Sequence, residues 1–345
     1  DAGELASFDM LGEAARTAAD AARYARAYAD AIAALGKGAK PGDPHANHGI
    51  SIKLSALHPR YEYLQSQRCR DELLPVVLDL CRAARAANVP LMIDAEESDR
   101  LEPHLDIFAG LIDAGLADGW AGLGIVVQAY QKRAAAVVEW LGALARAHGV
   151  KIALRLVKGA YWDSEIKRAQ VAGLADFPVF TEKNHTDINY MRCAQLLRGL
   201  SDCIYPAFAT HNAYIAALFG RDADHELQRL HGMGEGAHDA LMDVARPARP
   251  VRVYAPVGTH RDLLAYLVRR LLENGANSSF VHQFADPHVT VEELAIDPRE
   301  PAARPVTPPL PTGLDLYLPE RRNSRGHDLG DPGVPEALSA AIAEA

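Results

Sequence analysis

The 345-residue chain is 49% hydrophobic and carries a net charge of −9, from 36 Lys plus Arg against 45 Asp plus Glu. That share of apolar residues supports a sizeable core, while the acidic balance argues against a broad electrostatic grip on nucleic acid. No run approaches the roughly 18 uncharged apolar residues of a membrane span, and no basic segment leads into an apolar one at the N-terminus. A cytoplasmic protein is therefore expected, and the missing initiator Met suggests an excised piece.

In chain order, residues 1–48 read as an N-terminal helical segment. FDMLGEAARTAADAARYARAYADAIAALG is Ala-rich with a helical pattern, and GKGAKPGDPHANHG breaks it with Gly and Pro. Helices packed outside the main body are expected here. HANH at 45–48 lies in a Pro- and Gly-rich loop, and no ligand spacing accompanies it, so no metal site is expected.

From residue 49 to 285, short β-branched runs alternate with amphipathic stretches, the pattern of repeated βα units and a parallel sheet. The strand candidates are ISIKLSAL (50–57), VPLMIDA (89–95), GLGIVVQAY (122–130), KIALRLVKG (151–159), FPVFT (177–181), IYPAFATH (204–211), ELQRLHG (226–232) and VRVYAPVG (251–258). Eight such units predict an α/β fold, a (β/α)8 TIM-type barrel; a doubly wound open sheet is the alternative. Cys69, Cys81, Cys193 and Cys203 form no C-x-x-C pair and read as reduced packing thiols. After Asp286 the pattern fails, and PREPAARPVTPPLPTG makes 286–345 a Pro-rich C-terminal tail with the look of a linker.

The strand ends are unusually polar, and in a barrel of this type the C-terminal face builds the active site. They carry Lys53, Asp94, Gln128, Arg155, Lys158, Thr210, His211, Asn212, His231 and Tyr254. Lys53 and Arg155 interrupt apolar runs, where an unpaired charge is costly; either each has a buried partner such as Asp94, or together they surround an anionic ligand. GMGEGA (232–237) has the spacing of a dinucleotide turn, but no acidic residue stands at the ribose distance, so a tight turn is the better reading. In LLAYLVRRLLENGANSSF (263–280), six apolar residues fill one half of the helical wheel, and Tyr266, Arg269, Arg270 and Glu273 share an arc opposite. That arc is either a solvated face or a clamp.

Seven stretches, ISIKLSALHPRYE, LMIDAEESDRLE, GIVVQAYQKR, LRLVKGAYWDSEIKRAQ, FATHNA, RLHGMGE and YAPVGTHRDLLAYLVRRLLENGANSSFV, resemble the proline dehydrogenase module of the bifunctional proline utilization A flavoenzymes, from about Phe8 to Val281. LYLPERRNSRGHDLG resembles the start of that family's aldehyde dehydrogenase module, which the chain does not include. The resemblance implies FAD-dependent oxidation of L-proline to 1-pyrroline-5-carboxylate, the first step of proline catabolism. It further implies that the FAD is non-covalent, that electrons pass to a quinone at a membrane surface, and that the cytoplasmic protein becomes peripheral to the inner membrane during turnover.

It also implies site residues. FAD contacts would be Asp94, Val126, Gln128, Arg155, Lys158, Gly159, Ala160, Tyr161, Trp162, Thr181, Thr210, His211, Asn212, Gln228, Arg270, Glu273, Ser278 and Phe280. The proline carboxylate would meet Lys53, Arg269 and Arg270, with Asp94, Leu230, Tyr254, Tyr266 and Glu273 shaping the pocket and Glu13 gating it. Catalytic weight falls on Arg155, Lys53, Asp94 and Tyr254. Two other classes remain open: a Schiff-base aldolase using Lys53 or Lys158, and a non-catalytic scaffold.

Overall fold

The computed structural model describes residues 4–219, 225–236, 238–240, 251–275, 280–303 and 308–344. Eight parallel strands close into a barrel in sequence order: β1 (Leu5–Met10), β2 (Gly49–Ile52), β3 (Leu91–Ile93), β4 (Leu123–Gln128), β5 (Ile152–Val157), β6 (Ile204–Ala209), β7 (Glu226–Leu230) and β8 (Arg252–Val257). The open-sheet alternative is thereby excluded. β2 through β6 are buried almost throughout, as parallel strands covered on both faces must be.

The count of eight holds, but its membership differs. β1 comes from the segment expected to hold only helices; Ser7 pairs with Gly49 on one side and with Tyr254 on the other, so this strand closes the barrel. FPVFT is no barrel strand. Its only pairing is an isolated antiparallel bridge from Val179 to Gln131, while Phe177 and Val179 pack with Tyr130, Ile166 and Ala169 in a satellite cluster. A short buried apolar run has the same periodicity in either setting. Several strands are also shorter than expected: β2 ends at Ile52, and Leu54–Leu57 coils into one helical turn.

The helices that fix the site are α1 (Ala18–Gly36), α2 (Leu74–Ala86), α3 (Leu101–Asp113), α4 (Ala134–His148), α5 (Trp162–Val171), α6 (Lys183–Arg198), α7 (Ala213–Phe219) and α8 (His260–Gly275). α1 starts in a capping box, with Thr17 Oγ1 accepting from the Asp20 amide and Asp20 Oδ2 accepting from the Thr17 amide, both at 3.1 Å. Its Ala21, Tyr28 and Ile32 are buried along one face. α4 stops at Gly149, whose φ of 64° lets the chain turn back into β5. Gly232 and Gly234, in the GMGEGA turn after β7, also have positive φ.

All four cysteines are buried free thiols. Residues 308–344 include a terminal helix, α9 (Gly333–Glu344), and the chain here folds back onto the barrel: Gln170 Nε2 donates to Pro311 O and the Gly326 amide to Gly173 O, each at 2.9 Å. No helix among the described residues is long and apolar enough to cross a membrane.

Candidate active site

Residues within β1, β2, β5 and β8 and just past β2 and β3 bring one ionic network together. Lys53, just past β2, donates to Asp9 Oδ1 at 2.7 Å and lies 3.4 Å from both Asp94 Oδ2 and Tyr254 OH. Asp94 stands just past β3, where its amide still bonds Ile52 O at 2.9 Å, so the ladder fixes its position. Its Oδ2 accepts from Tyr254 OH at 2.8 Å and its Oδ1 from Arg155 Nη1 at 3.0 Å. Arg155 further donates from Nη1 to Ser51 Oγ, from Nη2 to Ser7 Oγ and from Nε to Gln228 Oε1, at 3.1, 3.0 and 2.7 Å. The first reading of these charges holds: Lys53 and Arg155 each have buried partners, and Asp94 joins the two.

The charge states follow from the partners. Burial works against the Lys53 ammonium, yet Asp9, Tyr254 and Asp94 together lift its pKa well above the ordinary lysine value. It is held as a cation, the wrong state for an amine nucleophile. Burial, Asp9 and Asp94 push the Tyr254 phenol well up, so it stays a neutral donor.

A second cluster gathers past β4 and β5, at the turn into α5. Gln128 donates from Nε2 to Glu96 O at 2.7 Å, and its Oε1 accepts from the Ala160 amide at 3.3 Å. Gly159 sits at φ 147°, and a Cβ there would enter the Tyr130 ring, so this turn requires glycine. Lys158 pairs with buried Asp187, whose other oxygen lies 2.9 Å from Lys183 Nζ. Burial opposes ionisation of Asp187, but the two lysines hold its pKa below the usual range. Trp162 is 38% exposed and donates from Nε1 to Phe180 O at 2.9 Å; Thr181 is half-buried nearby in sequence. Val126, on β4 in register with Arg155, faces the barrel interior, packing with Met92, Ala153 and Tyr205.

On the β6–β7 side, the Asn212 amide donates to Thr210 Oγ1 at 3.1 Å, and Asn212 Oδ1 caps α7 through the Ile215 amide at 3.2 Å. His211 Nε2 accepts from the Leu230 amide at 3.1 Å; burial, with His238 and Arg270 beside it, pushes its pKa down to about 3, so the ring is a neutral acceptor.

α8 inverts the usual burial of an amphipathic helix. Leu264, Leu267, Val268, Leu271 and Leu272 are exposed, whereas Tyr266 is buried and Arg269 and Arg270 are half-buried. Tyr266, Arg269 and Arg270 of the polar arc therefore face the protein, not solvent. Arg269 grips Glu13 with a two-pronged pair, Nη1 to Oε1 at 2.7 Å and Nη2 to Oε2 at 2.9 Å, and lies over the Tyr161 ring. Arg270 lies over Tyr266. Ser278 and the side chains of Glu273 and Phe280 lie outside the described residues.

Sequence reasoning missed several members. Asp9 and Ser7 were hidden by the unrecognised first strand, although LASFDM alternates in the manner of one. Ser51 and Lys183 gave no signal that would set them apart from ordinary polar residues. Glu96 was also missed: it is buried, accepts from the Ser55 amide at 3.0 Å and from the Ser55 hydroxyl, and burial pushes its pKa up to about 7.

Comparison with known proteins adds a family. The model of the family described as Proline dehydrogenase matches residues 1–283. The chain is 50% identical over 350 residues to the Bifunctional protein PutA of Rhizobium meliloti, covering 98% of this chain and 28% of that one. The corresponding Salmonella typhimurium protein is 47% identical over 355 residues, 97% of this chain and 27% of its own. A crystal structure of a Bradyrhizobium japonicum Proline Utilization A (PutA) mutant superposes with a TM-score of 0.94 at 50% identity, covering 99% of this chain and 36% of that one. The chain thus spans between about a quarter and about a third of the length of these relatives.

Proposed function

The chain belongs to the proline dehydrogenase family, and from that premise we propose that it oxidises L-proline to 1-pyrroline-5-carboxylate with non-covalent FAD, the electrons passing on to a quinone at a membrane surface. The observation that carries the reading is the ionic network of Lys53, Asp94, Arg155 and Tyr254 at the barrel mouth, under a helix that turns two arginines inward.

The residues present fit a flavin dinucleotide. Arg155 offers a fixed cation in a buried setting, suited to stabilising negative charge on a reduced ring. Lys158 and Lys183, beside the glycine turn at the N-terminus of α5, suit a pyrophosphate. Half-exposed Trp162 offers an aromatic face. The chemistry supplied by bound FAD is acceptance of a hydride from the ring carbon next to the proline nitrogen.

The chain's own residues bind and orient the substrate. Lys53 holds a positive charge for the carboxylate from below, and Arg269 and Arg270 approach it from α8. Glu13 competes with that carboxylate for Arg269, so the pair must exchange when proline enters. Asp94 and Tyr254 fix the Lys53 ammonium and wall the pocket, with Tyr266 and Leu230 excluding water. The charged state of Lys53 weighs against the Schiff-base aldolase.

Supplied with L-proline and a soluble quinone, the purified protein should release 1-pyrroline-5-carboxylate. Borohydride trapping of a substrate on Lys53 or Lys158, without product, would instead favour the aldolase.

A further inference from the structure

Barrels of this type are normally filled by layers of branched apolar side chains. Here Arg155, Gln228, Glu226 and Arg252, each no more than 3% exposed, run through the interior as one hydrogen-bonded file. Arg155 Nε donates to Gln228 Oε1 at 2.7 Å, and Gln228 Nε2 donates to Glu226 Oε1 at 2.6 Å. Arg252 then closes on both Glu226 oxygens, from Nε at 2.7 Å and from Nη2 at 2.8 Å. Further bonds from Arg252 reach backbone at the opposite end of the barrel: His45 O and Asn47 O, both at 2.8 Å, and Ala6 O at 3.4 Å.

The file has a direction. A glutamine amide has a donor end and an acceptor end of nearly equal size, and only its neighbours decide which way it points. The Arg155 Nε–H donates and cannot accept, and an ionised Glu226 accepts and cannot donate, so the two ends together hold Gln228 with its carbonyl oxygen up and its NH2 down. With a neutral, donor-capable group in place of the carboxylate, only the Arg155 end would anchor the amide, and the file would hold the guanidinium less firmly. Burial works against the Glu226 charge, but Arg252 holds its pKa below the usual range.

We propose that Glu226, clamped by Arg252, is a positioning residue that orients the Arg155 guanidinium through Gln228, and so tunes the flavin that Arg155 faces. The tuning rests on the proposed flavin function; the orientation does not. Stability alone does not account for the file, since a buried ion pair can often be replaced by apolar residues of similar volume at no loss. Nor does the ionic network at the mouth orient Arg155 fully, because its Nε–H has Gln228 as its partner.

The test is Glu226→Gln in the full chain, read in two ways. Hydrogen exchange at the Arg155 Nε–H, tracked by 15N NMR with or without flavin, should quicken by about tenfold, the effect of losing one well-made hydrogen bond to a charged group. In the flavin-loaded protein the midpoint potential should fall, and adding Glu226→Gln to a Gln228→Met background should lower it no further. Should Glu226→Gln not fold, the paired Glu226→Leu/Arg252→Met variant removes both charges together and should show the same faster exchange. A folded variant with lowered thermal stability but unmoved Nε–H exchange would reduce Glu226 to a structural role and overturn the proposal. Changed exchange in a protein that cannot be loaded with flavin would instead uphold the positioning and sink the flavin reading.

Discussion

Arg155 is a charge in the middle of an apolar strand, and that incongruity makes it legible in the sequence: IALRLV admits an arginine only if several partners meet it. Those partners are legible only in part. Asp94 ends a strand and Gln228 lies in one, but Ser7 and Ser51 are small residues whose role depends on which strands become neighbours. Arg155→Met should leave the barrel folded, because Asp94 keeps its bonds to Lys53 and Tyr254. Loss of the cation should cost about 3 kcal/mol of stabilisation of the reduced flavin, or roughly 60 mV for a two-electron couple. A spectroelectrochemical titration that gave the parent potential would remove Arg155 from this role.

Glu96 makes a pH prediction of its own. Its pKa rises from 4.5 to about 7 on burial in the fold. Below that window both folded and unfolded states are protonated; within it only the folded state keeps the proton, so stability declines as pH rises, by roughly 3 kcal/mol in total. Above it the whole penalty applies. Glu96→Gln should flatten the urea midpoint between pH 4.5 and 7. The same slope in parent and variant would mean that Glu96 is normally ionised.

At the scale of elements, sequence periodicity finds helices and most strands but does not assign β1. LASFDM is six residues long and runs straight toward an Ala-rich helix, whose much longer pattern swamps the short alternation. FPVFT fails for the converse reason, since burial in a satellite cluster needs the same residues as burial in a sheet. α8 is ambiguous in sequence because a wheel shows which residues share a side, not which side is covered. The inward arc leads to a strong expectation: Arg269→Met and Arg270→Met should each weaken proline binding at least roughly 30-fold, the effect of removing one partner of a desolvated charge pair, about 2 kcal/mol or more. Arg146 is the control. It lies 51% exposed on α4 in a surface pair with Asp202, and its replacement should change proline affinity very little. Equal affinities across all the variants would place the substrate elsewhere.

At the scale of the whole molecule, the barrel is closed by its own first and last strands. The tail is the least legible region, because Pro-rich composition speaks for extended chain without saying where that chain goes. Its contacts with Gln170 and Gly173 lie at the far end of α5 from the glycine turn. Ending the chain at Asp286 should therefore lower the melting temperature modestly while proline turnover stays near the parent rate; loss of turnover would make the tail part of the working barrel.

The most direct measurement is the visible spectrum of the purified protein, taken anaerobically before and after L-proline is added without an electron acceptor. The account predicts a yellow protein that bleaches with proline and releases FAD on denaturation. A colourless protein that cannot be reconstituted with FAD, or a flavin spectrum that proline leaves unchanged, would contradict it.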